Sequence, residues 1–183
     1  MTAVLLLFQF CVAGIVAKKN PLRCLVNMLP AYVTALGTQS SAATIPVTLA
    51  QAKKNGVNGD IAGFTVPLCA TIHLAGSILK IVACSYAIVL MNGMTLGLGT
   101  YAGFICMLGI VMVAAPGVPG GAIMAALGVL SSILGFTQDM LGLMIALYIA
   151  MDSFGTACNV TGDGAIALIV NAINERKMKK EAA

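Results

Sequence analysis

Two carboxylates and a carboxamide stand at helical spacing inside an apolar stretch. They are Asp152, Asn159 and Asp163, within Asp152-Ser-Phe-Gly-Thr-Ala-Cys-Asn-Val-Thr-Gly-Asp163. At about 100° per residue, Asn159 and Asp163 fall within about 20° of Asp152 around a helix, and Thr156 within about 40°. The four therefore form one polar stripe about three turns long. No Lys or Arg follows until Arg176. A charged side chain in the middle of hydrocarbon costs at least about 2.5 kcal/mol, so such residues face a protein interior, a water-filled cavity or an ion path. Carboxylate and amide oxygens in that setting suit an ammonium group or a hard cation. The structural alternative is polar glue between packed helices.

The elements that carry this stripe belong to a membrane protein. Of 183 residues, 60% are hydrophobic and only 9% charged, and the mean hydropathy is +1.00. Those values exclude an ordinary soluble domain. The absence of Trp leaves the usual aromatic belt weak. A net charge of +4 does not indicate nucleic acid, because the cations are clustered at segment ends. The clusters are Lys18, Lys19 and Arg23, then Lys53 and Lys54, then Arg176, Lys177, Lys179 and Lys180. Such clusters mark the cytoplasmic side. The expected location is the cell membrane, crossed several times.

Other reactive residues carry less. The six cysteines show no CxxC pair and read as small hydrophobes. Cys69 and His73 have i,i+4 spacing, but two ligands without a third make a weak transition-metal site. No GxSxG, HExxH or phosphate-loop pattern supports an enzyme. The Gly/Pro run at 116–121 lacks the Gly-Lys-Ser/Thr ending of a phosphate loop. The apolar start has no positive n-region, so it does not read as a signal peptide. It reads as the end of a membrane helix, residues 1–20, which predicts a chain that begins partway through a larger protein.

Charges and breakers divide the rest. The block at 28–52 has basic residues at both flanks, yet two spans would need about 40 residues. Gly37-Thr-Gln-Ser-Ser41 and Pro46 interrupt it. A re-entrant hairpin is predicted, since irregular backbone at membrane depth needs cover from protein or water. The block at 60–91 reads as a long helix broken around 71–76. The block at 100–136 is split by Pro116-Gly-Val-Pro-Gly-Gly121 and reads as a second re-entrant hairpin or a tight pair of short spans. The stripe then lies on a helix over 139–173, followed by a basic cytoplasmic tail, 176–183. The expected fold is an all-α integral membrane protein of two re-entrant hairpins and two long, partly interrupted helices. Interrupted segments repeated in two halves point to a secondary transporter.

Four local patterns together resemble the dicarboxylate/amino acid:cation symporter family, which includes glutamate and neutral amino acid transporters. Ser40-Ser-Ala-Ala-Thr-Ile-Pro-Val-Thr48 is similar to its first hairpin tip and exit helix. Pro67-Leu-Cys-Ala-Thr-Ile-His-Leu-Ala-Gly76 is similar to its interrupted seventh helix. Gly117-Val-Pro-Gly120 is similar to the second hairpin tip, and Asp152 to Asp163 to the eighth helix. The resemblance implies an elevator transport domain over 21–175, set in lipid and moving against an N-terminal scaffold that forms a homotrimer. The family's first five helices, and most of its sixth, have no counterpart here. The 183 residues alone are therefore expected to carry nothing across a membrane.

The resemblance also implies roles. Asp152 would pair with a substrate ammonium. Gly155 stands where acidic-substrate members place Arg. Thr156, Asn159, Ser77, Ser40 and Ser41, with the backbone at Val118 and Gly120, would contact substrate. Asp163 would hold sodium, with Asn159 near the ions. The family's Asn-Met-Asp-Gly is His73-Leu-Ala-Gly76 here, so a sodium-ligating Asp is replaced by Ala75. Cys69 and His73 then occupy ion-site positions with poor donors for sodium, and a proton carried by His73 is the alternative coupling ion. No Arg lies between Cys24 and Glu175, and Lys80 is the one cation inside the later apolar blocks, with its partner left open. The expected function is cation-coupled symport of neutral amino acids. A dicarboxylate symporter on the same fold and an inactive truncated fragment are the alternatives.

Overall fold

The computed structural model describes residues 1–181, and within them every regular element is a helix. The chain is an all-α membrane protein. Helix α1 (Thr2–Ala17) ends at Lys18 in the left-handed conformation and is followed by a short α2 (Pro21–Asn27), bent 118° from it. The α3 (Leu29–Thr38) and α4 (Ser41–Lys54) helices are the arms of the first hairpin. The α5 (Gly59–Ile72) and α6 (Ala75–Met91) helices form one 33-residue apolar stretch interrupted at His73 and Leu74. The second hairpin is α7 (Leu98–Met112) and α8 (Gly121–Leu134), joined through the Pro/Gly segment. Then come α9 (Gln138–Ala150) and α10 (Asp152–Glu181).

Local chemistry sets several starts. The side chains of Asn20, Ser40, Asn58 and Thr137 accept from backbone N–H groups at the N-termini of α2, α4, α5 and α9. Each satisfies a donor the first helical turn would otherwise leave free.

Two apolar cores result. One joins α1, α3, α5 and α10, around Phe10, Met28, Ala31, Val66, Val160 and Leu168. The other joins α6 to α9, around Ile81, Phe104, Leu108, Ile123, Leu130 and Met144. Helix α10 is packed by α1, α3, α4, α5 and α6, and its middle is almost entirely buried. Two stretches are long and apolar enough to cross a membrane among the described residues, Gly59–Met91 and Asp152–Glu181. The bent α1–α2 pair makes a third if it is one span.

Two details refine the expected elements. The helix foreseen over 139–173 is not continuous: Met151, at φ −112° and ψ 9°, separates α9 from α10. Asp152 consequently lies in the first turn of a new helix, where a negative charge complements the helix dipole. The Ala150-Met-Asp sequence contains no Pro or Gly, so no breaker marks this interruption. The basic tail is also not separate. Residues 176–181 continue α10 in exposed helical turns, with Arg176 donating to the Val16 carbonyl and Lys177 beside Glu181.

Candidate functional site

The stripe on α10 faces the interrupted α5–α6 stretch. Its contacts run antiparallel: Asp152 meets Lys80, Asn159 meets Gly76 and Ser77, and Asp163 meets His73. Close approach depends on glycine at the crossing. A Cβ at residue 76 would lie 2.7 Å from the Gly155 carbonyl oxygen and 2.8 Å from the Cys158 Cβ.

At the first end, Lys80 Nζ lies 3.1 Å from Asp152 Oδ1 and also donates to the Met151 carbonyl at the helix interruption. Its ammonium sits 4.0 Å from the centre of the Tyr148 ring, a cation–π arrangement. Lys80 is 8% exposed and Asp152 3%, so the pair is desolvated. The second Asp152 oxygen, Oδ2, accepts the Gly120 N–H at 2.9 Å, from the tip of the second hairpin. Thr156 Oγ1 donates to Oδ1 at 3.4 Å. Gly155 lies directly beneath Lys80: a Cβ there would fall 2.5 Å from Nζ and nearer still to Cε. The lysine stem runs through the space a side chain at 155 would need.

The two hairpin tips close over this end. Ser40 Oγ and the Ala42 N–H both donate to the Gly117 carbonyl, and Gln39 Nε2 donates to Ser153 Oγ. Ser41, Ser77, Val118, Asp152, Thr156 and Asn159 line one small cavity with Gln39, Leu74 and Tyr148, of about 10 Å³. That is room for about one water. A larger cavity of about 320 Å³ lies elsewhere, among Lys19, Arg23, Asn27 and Lys54, and touches none of the stripe.

In the middle, Asn159 is a bridge. Its Oδ1 accepts the Gly76 N–H at 2.7 Å and its Nδ2 donates to Ser77 Oγ at 2.9 Å. This pins α10 to the first turn of α6, where backbone donors lack helical partners.

At the far end, His73 Nδ1 is 2.8 Å from Asp163 Oδ1, and Gln9 Nε2 donates to His73 Nε2 at 3.1 Å. With Nε2 accepting, Nδ1 carries the proton that it donates to the carboxylate. The Cys69 thiol lies near Asp163 but makes no hydrogen bond to it; the Cys69 carbonyl accepts the His73 N–H at the end of α5. Among the described residues no three His, Cys, Asp or Glu side chains gather as a metal centre.

The sequence patterns thus fall into three places. Ser41, Ser77, Val118, Thr156 and Asn159 share the cavity beside Asp152, with Ser40 and Gly120 in the tip contacts above it. Gly155 is covered by Lys80. Asp163 and His73 are a separate pair, about 16 Å along the helix from Asp152. Two partners lay beyond sequence reasoning: Gln9, an isolated amide in an apolar run, and Tyr148, one turn before the stripe. Lys80 had a signal, as a lone cation in apolar sequence, but no visible partner.

The sequence profile of the Sodium:dicarboxylate symporter family matches residues 1–173. The chain belongs to that family. Excitatory amino acid transporter 3 of Mus musculus is 33% identical over 167 residues, covering 91% of this chain and 32% of that protein. Excitatory amino acid transporter 1 of Rattus norvegicus is 32% identical over 166 residues, covering 90% and 30%. Excitatory amino acid transporter 2 of Homo sapiens is 30% identical over 165 residues, covering 90% and 29%. The chain spans about a third of the length of these curated relatives. The matched family is one of symporters, and the described residues include stretches long and apolar enough to cross a membrane.

Proposed function

We propose that this chain holds the substrate and ion of a cation-coupled symporter for amino acids, sodium being the coupling ion. The observation that carries the reading is Asp152. It is a desolvated carboxylate at a helix N-terminus, walled by both hairpin tips and bonded to one of them through the Gly120 N–H. A substrate ammonium that takes Asp152 must compete with that tip contact, so binding is linked to hairpin movement. Membership of the symporter family and the relatives' names as amino acid transporters support the same reading.

The neutral side chain rests on Gly155, which supplies no cation. A dicarboxylate substrate is the second reading, favoured by Lys80, whose ammonium stands over Gly155. Asp163 is the candidate sodium ligand, and it accepts sodium only if His73 turns aside. Residues 21–175 then act as the moving unit against scaffold helices of a trimer. The test is uptake. The 183 residues joined to the scaffold helices in liposomes, given an inward sodium gradient, should accumulate labelled serine, while the 183 residues alone should accumulate none. Accumulation indifferent to sodium but steep in pH would move the coupling to a proton at His73; no uptake or binding of any amino acid would remove the reading.

A further inference from the structure

Among the described residues, Asp152 is the one carboxylate paired with Lys80. The six acidic residues are Asp60, Asp139, Asp152, Asp163, Glu175 and Glu181. Asp163 is held by His73 about three turns further along α10, and the others pair with neither Lys80 nor one another in its neighbourhood. Beside Asp152, the ammonium of Lys80 has the Met151 carbonyl as hydrogen-bond acceptor and the Tyr148 ring beneath it, with the Cys84 and Cys158 thiols nearby. If a substrate ammonium takes Asp152, a buried ammonium on Lys80 is left facing a neutral carbonyl and a ring. A buried charge that loses its partner is strongly disfavoured.

We propose that the Lys80–Asp152 pair reads zwitterions: the substrate inserts into it, its ammonium on Asp152 and its carboxylate on Lys80. Lys80 is then a specificity-determining residue that contacts substrate. The inference rests on the symporter reading and deepens it. One ion pair is exchanged for two, and no net charge is buried. An amine without a carboxylate leaves Lys80 unpaired. A diacid without an amine sets a carboxylate against Asp152. An acidic amino acid brings a second carboxylate, for which no further cation lies beside Asp152. Gly155 is what lets Lys80 stand there, since any Cβ at 155 meets the end of its side chain. The lysine's four-carbon stem allows its ammonium to swing from Asp152 to a ligand atom.

The test crosses ligand and side chain. Serine, ethanolamine, lactate, aspartate and succinate are titrated into the purified protein in saturating sodium. The wild type should bind serine at least tenfold tighter than any of the others. A hydrogen bond to a charged group corresponds to about 10- to 100-fold in affinity. Lys80→Met and Lys80→Gln should therefore weaken serine relative to ethanolamine by at least that factor, ethanolamine itself binding more tightly because no ammonium is stranded, so the serine-to-ethanolamine ratio collapses. Lys80→Arg should keep the ratio. An unchanged ratio in the neutral variants overturns the proposal. If neither neutral variant folds, the wild-type panel decides: ethanolamine or succinate within about threefold of serine overturns it, and a gap of tenfold or more supports it. No binding of any ligand in the panel would instead sink the symporter reading itself.

Discussion

The two ends of the α10 stripe have the same layout and different chemistry. Each presents one buried aspartate to one basic side chain from the interrupted α5–α6 stretch: Asp152 to Lys80, Asp163 to His73. The partners are seven residues apart on one strand of the crossing and eleven on the other, because α5–α6 is broken at 73–74 and α10 is not. The Asp152 end is met by a hairpin tip, since Gly120 reaches it from the second hairpin. The Asp163 end is met by His73, at the break between α5 and α6, and through it by Gln9 on α1. The difference teaches which end can exchange an organic ligand. Of the two, only Asp152 is contacted by a hairpin tip, the kind of wall that could open for an organic ligand. Under the proposed function Asp163 is left to the small ion.

The comparison breaks most severely at Asp152. Asp152→Asn should remove substrate binding while sodium binding persists, a loss of about 2–5 kcal/mol for one partner of a desolvated charge pair. Isothermal titration with serine checks it, and an affinity unchanged in the variant would leave Asp152 as a packing contact. At the other end, Asp163→Asn should leave serine binding measurable but nearly indifferent to sodium. The coupling lost is about 1–3 kcal/mol. Serine titrations at several sodium concentrations read it directly, and a full sodium dependence in the variant would move the ion elsewhere.

A smaller effect sharpens the contrast. Gly155→Arg forces Lys80 away from Asp152 and supplies a fork suited to a second carboxylate. The aspartate-to-serine affinity ratio should rise about tenfold, since one charge-assisted bond corresponds to that factor. A constant ratio would mean that residue 155 does not face the ligand. The least effect is expected at the tip. Ser40→Ala removes both the α4 cap and the bond to Gly117, and should lower stability by about 1 kcal/mol. Thermal melting measures that loss, while substrate affinity at saturating sodium should stay within a few-fold.

Which parts were legible follows from range. The stripe was readable because its spacing is fixed by one helix, whatever surrounds it. The tip near Ser40 was readable because Gly, Ser and Pro act locally on the backbone, and the interruption at His73 because it lies among such residues. The break at Met151 was not, since Ala-Met-Asp contains no local breaker. It is held by tertiary partners instead: Lys80 on the Met151 carbonyl and Gly120 on Asp152. The Lys80 partner was hidden because a four-carbon side chain can reach several turns, and only the register of α6 on α10 selects Asp152. Gln9 reaches His73 across 64 residues of sequence, a pairing that no short-range pattern encodes.

The division of labour along α10 is tested most directly by equilibrium dialysis of labelled serine and labelled sodium together, in the wild type, Asp152→Asn and Asp163→Asn. In the wild type each ligand should raise the affinity of the other by the same factor, because the coupling is reciprocal. Asp152→Asn should retain sodium without serine, and Asp163→Asn should retain serine without its sodium dependence. Equal loss of both ligands in both variants would contradict the account, since the stripe would then be one undivided structural element.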